Sequence, residues 1–270
     1  MNFGDATFLG ILQGVTEFFP ISSSGHLLLA EHFLNLDVAN LKSFDVVLHA
    51  GTLLALLILF WKIWWGMVIG SWFLVPGSDS EDKKNSRKLF WKLVVATLPA
   101  AAIGLLLGDW IDEVTRGPEQ TMIVVCFFLV VAAVLFLAEK FGQQHSAKIG
   151  WKQIIWMGIF QAAALFPGVS RSGVTIAAGM FGGLKREVAA KFSFLMLAPA
   201  TAGAVILISK KVFDGGLSLP PMDLVVVGFL VSAVSSFLFA SLLLRLVKKY
   251  SLIWFAVYLV LAAAVLLAIN

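Results

Sequence analysis

The chain has 270 residues, 60% of them hydrophobic and 13% charged, with a mean hydropathy of +0.93 and a formal net charge of +4. Its apolar residues come in long runs, which excludes a water-soluble globular domain and marks an integral membrane protein embedded in the bilayer. The basic excess is spread over short segments between those runs and forms no continuous face, so the charges read as topology signals and nucleic acid is excluded as a partner.

A crossing takes roughly 20 apolar residues to span about 30 Å of hydrocarbon, so the length allows at most about ten crossings. The expected fold is an all-α polytopic helix bundle forming one transmembrane domain over 1–270, with no room for a separate soluble domain. The single cysteine, Cys126, rules out a disulfide within the chain and is expected to be a small buried hydrophobe. The N-terminus has no basic stretch before its first apolar run and no small-residue cleavage pattern after it, so no removable signal peptide is expected.

In chain order, Phe8 to Phe33 is apolar but interrupted by proline, glycine, serine and ionisable residues. Three uninterrupted spans follow, Phe44 to Met67, Leu89 to Leu107 and Thr121 to Ala138. A second interrupted region, Trp151 to Gly183, precedes three more spans, Val188 to Ile208, Met222 to Leu246 and Leu252 to Ile269. Trp61, Trp64 and Trp65 read as an interfacial belt, while His49 is expected to be structural or to support a neighbour.

The two interrupted regions resemble each other. Gly10-Ile11-Leu12-Gln13 matches Gly158-Ile159-Phe160-Gln161, prolines follow at 20 and 167, and Ser23-Ser24-Gly25 matches Arg171-Ser172-Gly173. The register predicts two homologous repeats, about 1–140 and about 150–270. An odd number of crossings per repeat inverts the second copy and sets the two broken, re-entrant elements face to face near the midplane. Irregular backbone is tolerated there only inside protein or beside a wet cavity, so both elements are expected to meet at a polar cavity. Lys83, Lys84, Arg87, Lys88, Lys140, Lys148, Arg245, Lys248 and Lys249 fall on one, cytoplasmic, side of this arrangement, and Asp109, Asp112, Glu113 and Glu119 on the other. Lys210 and Lys211 are exceptions to that pattern.

The first broken element carries Gln13-x-x-x-Glu17, one helical turn apart on one face, then Pro20 and the run Ser22-Ser23-Ser24-Gly25-His26. Proline ends the first half-helix, and hydroxyls at the start of the next make an anion site. The second carries Pro167-Gly168-Val169-Ser170-Arg171-Ser172-Gly173-Val174-Thr175, the same design with a fixed cation suited to bidentate phosphate binding. An ionisable residue at a helix centre costs roughly 2.5–3.5 kcal/mol by insertion scales, so Glu17 and Arg171 imply a partner or a task. A carboxylate, an imidazole, several hydroxyls and one arginine suit hydrolysis of a phosphate ester or anhydride. The absence of acid-rich metal motifs and of a nucleotide-binding glycine loop argues against ATP-driven work.

"QGVTEFFPISSSGH", "PGVSRSGVT" and "SFDVVLHAGTLLAL" resemble segments of the undecaprenyl-diphosphate phosphatase family, also called bacitracin-resistance proteins, in order and separation over essentially the whole chain. Gln13 stands where many members have glutamate, which leaves Glu17 as the one carboxylate of that pair. The resemblance implies a hydrolase of a bacterial inner membrane that converts undecaprenyl diphosphate, a polyprenyl diphosphate lipid, to undecaprenyl phosphate and inorganic phosphate. That reaction recycles the carrier for peptidoglycan synthesis, and overproduction confers bacitracin resistance. The resemblance further implies a site open to the periplasmic face and help from a divalent cation, Mg2+ or Ca2+. A homo-oligomer is compatible with the sequence and not specified by it.

Phosphoryl transfer needs positioning and charge neutralisation. On that chemistry Arg171 takes the phosphates, with Ser22, Ser24, Ser170, Ser172 and Thr175 as donors. Glu17, assisted by Gln13, holds the metal or orients water, and Ser23 is the expected nucleophile with His26 as its base. Direct attack by His26 or by a water activated by Glu17 remains open. A transporter or lipid flippase built on the same midplane site is the alternative from another class.

Overall fold

A computed structural model of the chain describes residues 1–36, 41–71, 81–115 and 120–269, without the side chains of 70, 71, 112 and 115. Among these residues the regular elements are all helices. The elements are α1 (Phe3–Thr16), α2 (Ser23–Phe33), α3 (Lys42–Leu59), α4 (Trp61–Ser71), α5 (Glu81–Thr115), α6 (Gln120–Phe141), α7 (Trp151–Ala163), α8 (Arg171–Phe181), α9 (Arg186–Phe213), α10 (Met222–Lys249) and α11 (Ile253–Ile269). Five helices, α3, α5, α6, α9 and α10, are long and apolar enough to cross a membrane, and α11 is a shorter apolar helix. Large apolar side chains such as Leu106, Ile206 and Trp254 lie exposed on the bundle surface, as in a protein whose outer solvent is lipid. The protein is a multi-pass membrane protein.

Both interrupted regions are broken helix pairs. Pro20 follows α1 in a turn, and Ser22 caps α2 by accepting from the Gly25 amide at 3.3 Å. Pro167 and Gly168, the latter at φ +92°, follow α7, and Ser170 caps α8 by accepting from the Gly173 amide at 3.1 Å. Proline has no amide to donate at each break, and the serine side chain accepts from a free amide at the start of the next helix.

The first pair is clamped by α10. Gly10 and Gly14 present a flat face of α1 to α10, and a side chain at 14 would run into Ser235 and the Ser236 amide. Ser235 Oγ donates to the Gly10 carbonyl at 3.0 Å, and Ser232 Oγ donates to the Leu48 carbonyl of α3 at 2.6 Å. Small residues and hydroxyls replace the hydrophobic effect as the adhesive between helices in lipid. The second pair packs α7 on α5 and α8 on α6 and α9, around a core that includes Phe128, Phe192 and Phe194.

The structure departs from the sequence reading at four places. The span expected from Phe44 to Met67 is broken at Phe60, where the Trp64 indole donates at 3.2 Å to the Leu56 carbonyl, an oxygen that also accepts the Phe60 amide at 3.0 Å. Trp64 therefore turns inward, while Trp61 and Trp65 lie exposed. Lys83, Lys84, Arg87 and Lys88 belong to the first turns of a 35-residue α5 instead of a loop. Cys126 is exposed, because α6 buries the opposite stripe containing Val124, Val125, Phe128 and Val131. Lys211, exceptional by charge pattern, pairs with Asp109 at 2.9 Å. Arg116 and Glu119 of the acidic segment lie outside the described residues.

Candidate active site

The two breaks touch. A side chain at Gly25 would meet Gly168 Cα at 3.2 Å, and Ser172 Oγ donates to the Phe19 carbonyl at 3.1 Å, so the second turn is bonded to the first. Phe18 packs edge-on against Phe194 of α9, with ring centroids 4.9 Å apart. The expected meeting of the two broken elements is thus present, beside a cavity of about 350 Å³.

Glu17, 6% exposed, is the hub. Its Oε1 accepts from Arg171 Nη2 at 3.1 Å, and its Oε2 accepts from Ser23 Oγ at 2.5 Å and from Gln13 Nε2 at 3.1 Å. Arg171 also donates through Nη1 to the Ser193 carbonyl at 2.9 Å, while its buried Nε has no partner. A guanidinium has five N–H donors, so Arg171 keeps several for an anion. Ser23 and Arg171 hold matching places as the first residues of α2 and α8, where the positive ends of two helix dipoles favour negative charge. Ser22, which precedes Ser23, holds φ at +72°, a conformation costing about 1–3 kcal/mol in a residue with a side chain. That strained turn folds Ser23 back onto Glu17 six residues earlier.

Of the residues predicted for the site, Glu17, Ser23, Ser24, Ser170 and Arg171 line the cavity. Gln13, Ser22, Ser172, Thr175 and His26 are not among its lining residues. Gln13 steadies Glu17 and reaches Thr52 Oγ1 at 3.4 Å. Thr175 Oγ1 donates to the Arg171 carbonyl at 2.7 Å and bonds Ser193 Oγ at 2.7 Å, fixing α8 against α9. Ser172 ties the two turns together.

His26 is not brought to Ser23. Its Nδ1 bonds the Ser22 carbonyl at 2.7 Å and its Nε2 bonds Tyr258 Oη at 2.8 Å, with the ring stacked between Phe128 and Tyr258. The hydrogen bond expected between Ser23 and an imidazole goes to the Glu17 carboxylate instead. The reason is local: both ring nitrogens of His26 are engaged by the Ser22 carbonyl and Tyr258, while the turn at Ser22 sets Ser23 against Glu17.

His49, expected to be structural or to support a neighbour, lines the cavity with Nε2 3.5 Å from Glu17 Oε2. Its Nδ1 donates to the Asp45 carbonyl at 2.7 Å, which fixes the ring with Nε2 turned to the carboxylate. An ionisable residue inside an apolar span was the signal that pointed to it.

Among the described residues no group of three or more His, Cys, Asp or Glu stands close enough to hold a metal ion. The cavity lining carries the Glu17, Glu31 and Asp45 carboxylates, of which Glu17 is paired with arginine, and several hydroxyls. A hard divalent cation seeks six or more oxygens, so this set fits one only when phosphate oxygens of a ligand complete the shell.

A family model described as bacitracin resistance protein BacA matches residues 6–265. Among curated proteins, the undecaprenyl-diphosphatase of Rubrobacter xylanophilus is 42% identical over 270 residues, covering 98% of this chain and 97% of that protein. The undecaprenyl-diphosphatase of Methanosphaera stadtmanae is 38% identical, covering 94% of this chain and 92% of its own. Undecaprenyl-diphosphatase 4 of Bacillus thuringiensis subsp. konkukian is 39% identical, covering 96% and 93%. With both broken elements inside the matched span and the likeness running nearly end to end, the chain belongs to the bacitracin resistance protein BacA family.

Proposed function

We propose that this protein is an enzyme of the bacterial plasma membrane that hydrolyses undecaprenyl diphosphate to undecaprenyl phosphate and inorganic phosphate, returning the lipid carrier to cell-wall synthesis and raising tolerance to bacitracin. The observation that carries it is a serine hydroxyl bonded to a buried carboxylate, with an arginine beside them, in a cavity inside an apolar bundle. The names of the relatives support the same substrate. A diphosphate needs cationic and donor groups while its prenyl tail stays in lipid, and a polar cavity at depth meets both needs. Lys83, Lys84, Arg87 and Lys88 at the start of α5 favour a cytoplasmic place for that end, and so an opening to the outer, periplasmic side at the other. The matched breaks favour two inverted repeats.

In the proposed reaction Arg171, Ser24 and Ser170 hold the diphosphate with its terminal phosphorus in line with Ser23 Oγ. The Ser23 oxygen bonds to phosphorus as the bridging P–O bond breaks, and the serine proton passes through Glu17 to the departing undecaprenyl phosphate. Water then attacks the phosphoserine, the serine O–P bond breaks, and one water proton returns to Ser23 through Glu17 as inorganic phosphate leaves. A divalent cation arriving with the diphosphate would be held by Glu17 and the phosphate oxygens, and would supply charge neutralisation.

Purified protein in detergent is expected to release inorganic phosphate from a polyprenyl diphosphate, with release cut at least about tenfold by a chelator and restored by Mg2+ or Ca2+. No release, together with movement of the lipid in vesicles, would favour the transporter reading. His26 acts by position: His26→Ala is expected to lower turnover by up to about a hundredfold through displacement of Ser23. The limbs of the pH–rate profile should stay in place in that variant, and loss of a limb would make His26 a proton carrier after all.

A further inference from the structure

Gln161 is the counterpart of Gln13 in the second broken element, and the two glutamines live differently. Gln13 finds an acceptor one helical turn on, because the residue there is Glu17. One turn on from Gln161 the residue is Leu165, so the same design leaves the second glutamine without its acceptor. Gln161 is 3% exposed and lines the cavity, and neither its Nε2 nor its Oε1 has a hydrogen-bond partner. A buried amide with both ends unsatisfied is costly, more so where lipid surrounds the bundle, and such a group persists where a ligand completes it.

We infer that Gln161 is a further substrate-binding residue, whose amide donates to an anionic phosphate oxygen of the occupant, as the Gln13 amide donates to Glu17. This rests on the hydrolase reading for the identity of the occupant. The leucine at 165 is what makes the position selective: a carboxylate there would satisfy the amide internally and repel the anion. Oε1 accepts a hydrogen bond from water or from a hydroxyl carried with the ligand. A change of rotamer is enough to bring the amide to the occupant.

The test uses Gln161→Leu, close in volume with no polar atoms, and Gln161→Glu, close in shape but anionic. For each, KM and kcat are measured with a polyprenyl diphosphate, alongside competitive inhibition by inorganic phosphate and the thermal midpoint of the free protein in detergent. Gln161→Leu is expected to raise KM and the phosphate inhibition constant by about tenfold, the loss typical of a hydrogen bond to a charged group, with no fall in the midpoint. Gln161→Glu should raise both further. Unchanged KM and phosphate inhibition, or a lowered midpoint with both intact, would overturn the inference by making Gln161 a packing residue. Should the wild type release no phosphate, the hydrolase reading fails by itself. Binding of a polyprenyl methylenediphosphonate by calorimetry then decides the inference: weakening by both variants supports it, and equal affinity overturns it.

Discussion

Ser23→Ala is expected to lower phosphate release by about a thousandfold or more, since it removes the attacking atom and leaves only binding and electrostatics. The fold should survive: Glu17 Oε2 keeps Gln13, Oε1 keeps Arg171, and Ser22 still caps α2. Acid quenching of the wild type during turnover of a substrate labelled in its terminal phosphate should yield labelled phosphoserine at 23, absent in the variant. Near-full turnover by Ser23→Ala, or no label on the wild type under burst conditions, would move the attack to a water activated by Glu17.

Arg171 carries the second large effect. Arg171→Ala is expected to cost about a thousandfold or more in turnover, comparable to loss of an arginine that neutralises a transferring phosphoryl group. It also strands Glu17, and breaking a buried pair by deleting one partner costs about 3–5 kcal/mol. Arg171→Lys should recover part of the stability and little of the rate, because one ammonium cannot replace the planar fork that spans Glu17 and the Ser193 carbonyl. The double variant Glu17→Gln/Arg171→Ala separates the two roles. Its thermal midpoint should return toward that of the wild type, while activity stays lost. If the double variant regained activity with its stability, the pair would be structural cement.

Much of this was legible because lipid imposes strict rules on a chain. Long apolar runs mark α3, α5, α6, α9 and α10, and interruptions by Pro20 and Pro167 mark the broken pairs. A charge inside such a chain needs an opposite, and Glu17 and Arg171 were each other's candidate. What stayed hidden depends on direction around a helix. α6 is apolar on every side, so nothing in its residues says which stripe faces lipid, and Cys126 was placed inward. The break at Phe60, across which the Trp64 indole reaches back to the Leu56 carbonyl, has no proline or glycine to announce it. The base for Ser23 was assigned to His26, three residues along the same helix, because sequence distance cannot register a backbone turn at φ +72° that makes Glu17 nearer.

Arg186 begins α9 at the end remote from Lys211. Its guanidinium pairs with Glu139 of α6 at 2.7 Å and donates to the carbonyls of Val247 and Tyr250, while Glu139 also accepts from the Leu252 amide at 2.8 Å. Four helices are riveted there, about 10 Å along α9 from the carbonyl that holds Arg171. The cavity runs the other way, along Thr201 and Ala204 toward Lys42 and Asp45. Among the described residues the cavity lining includes none of the riveted side chains, so carrying a headgroup through to that end would first require drawing the rivets.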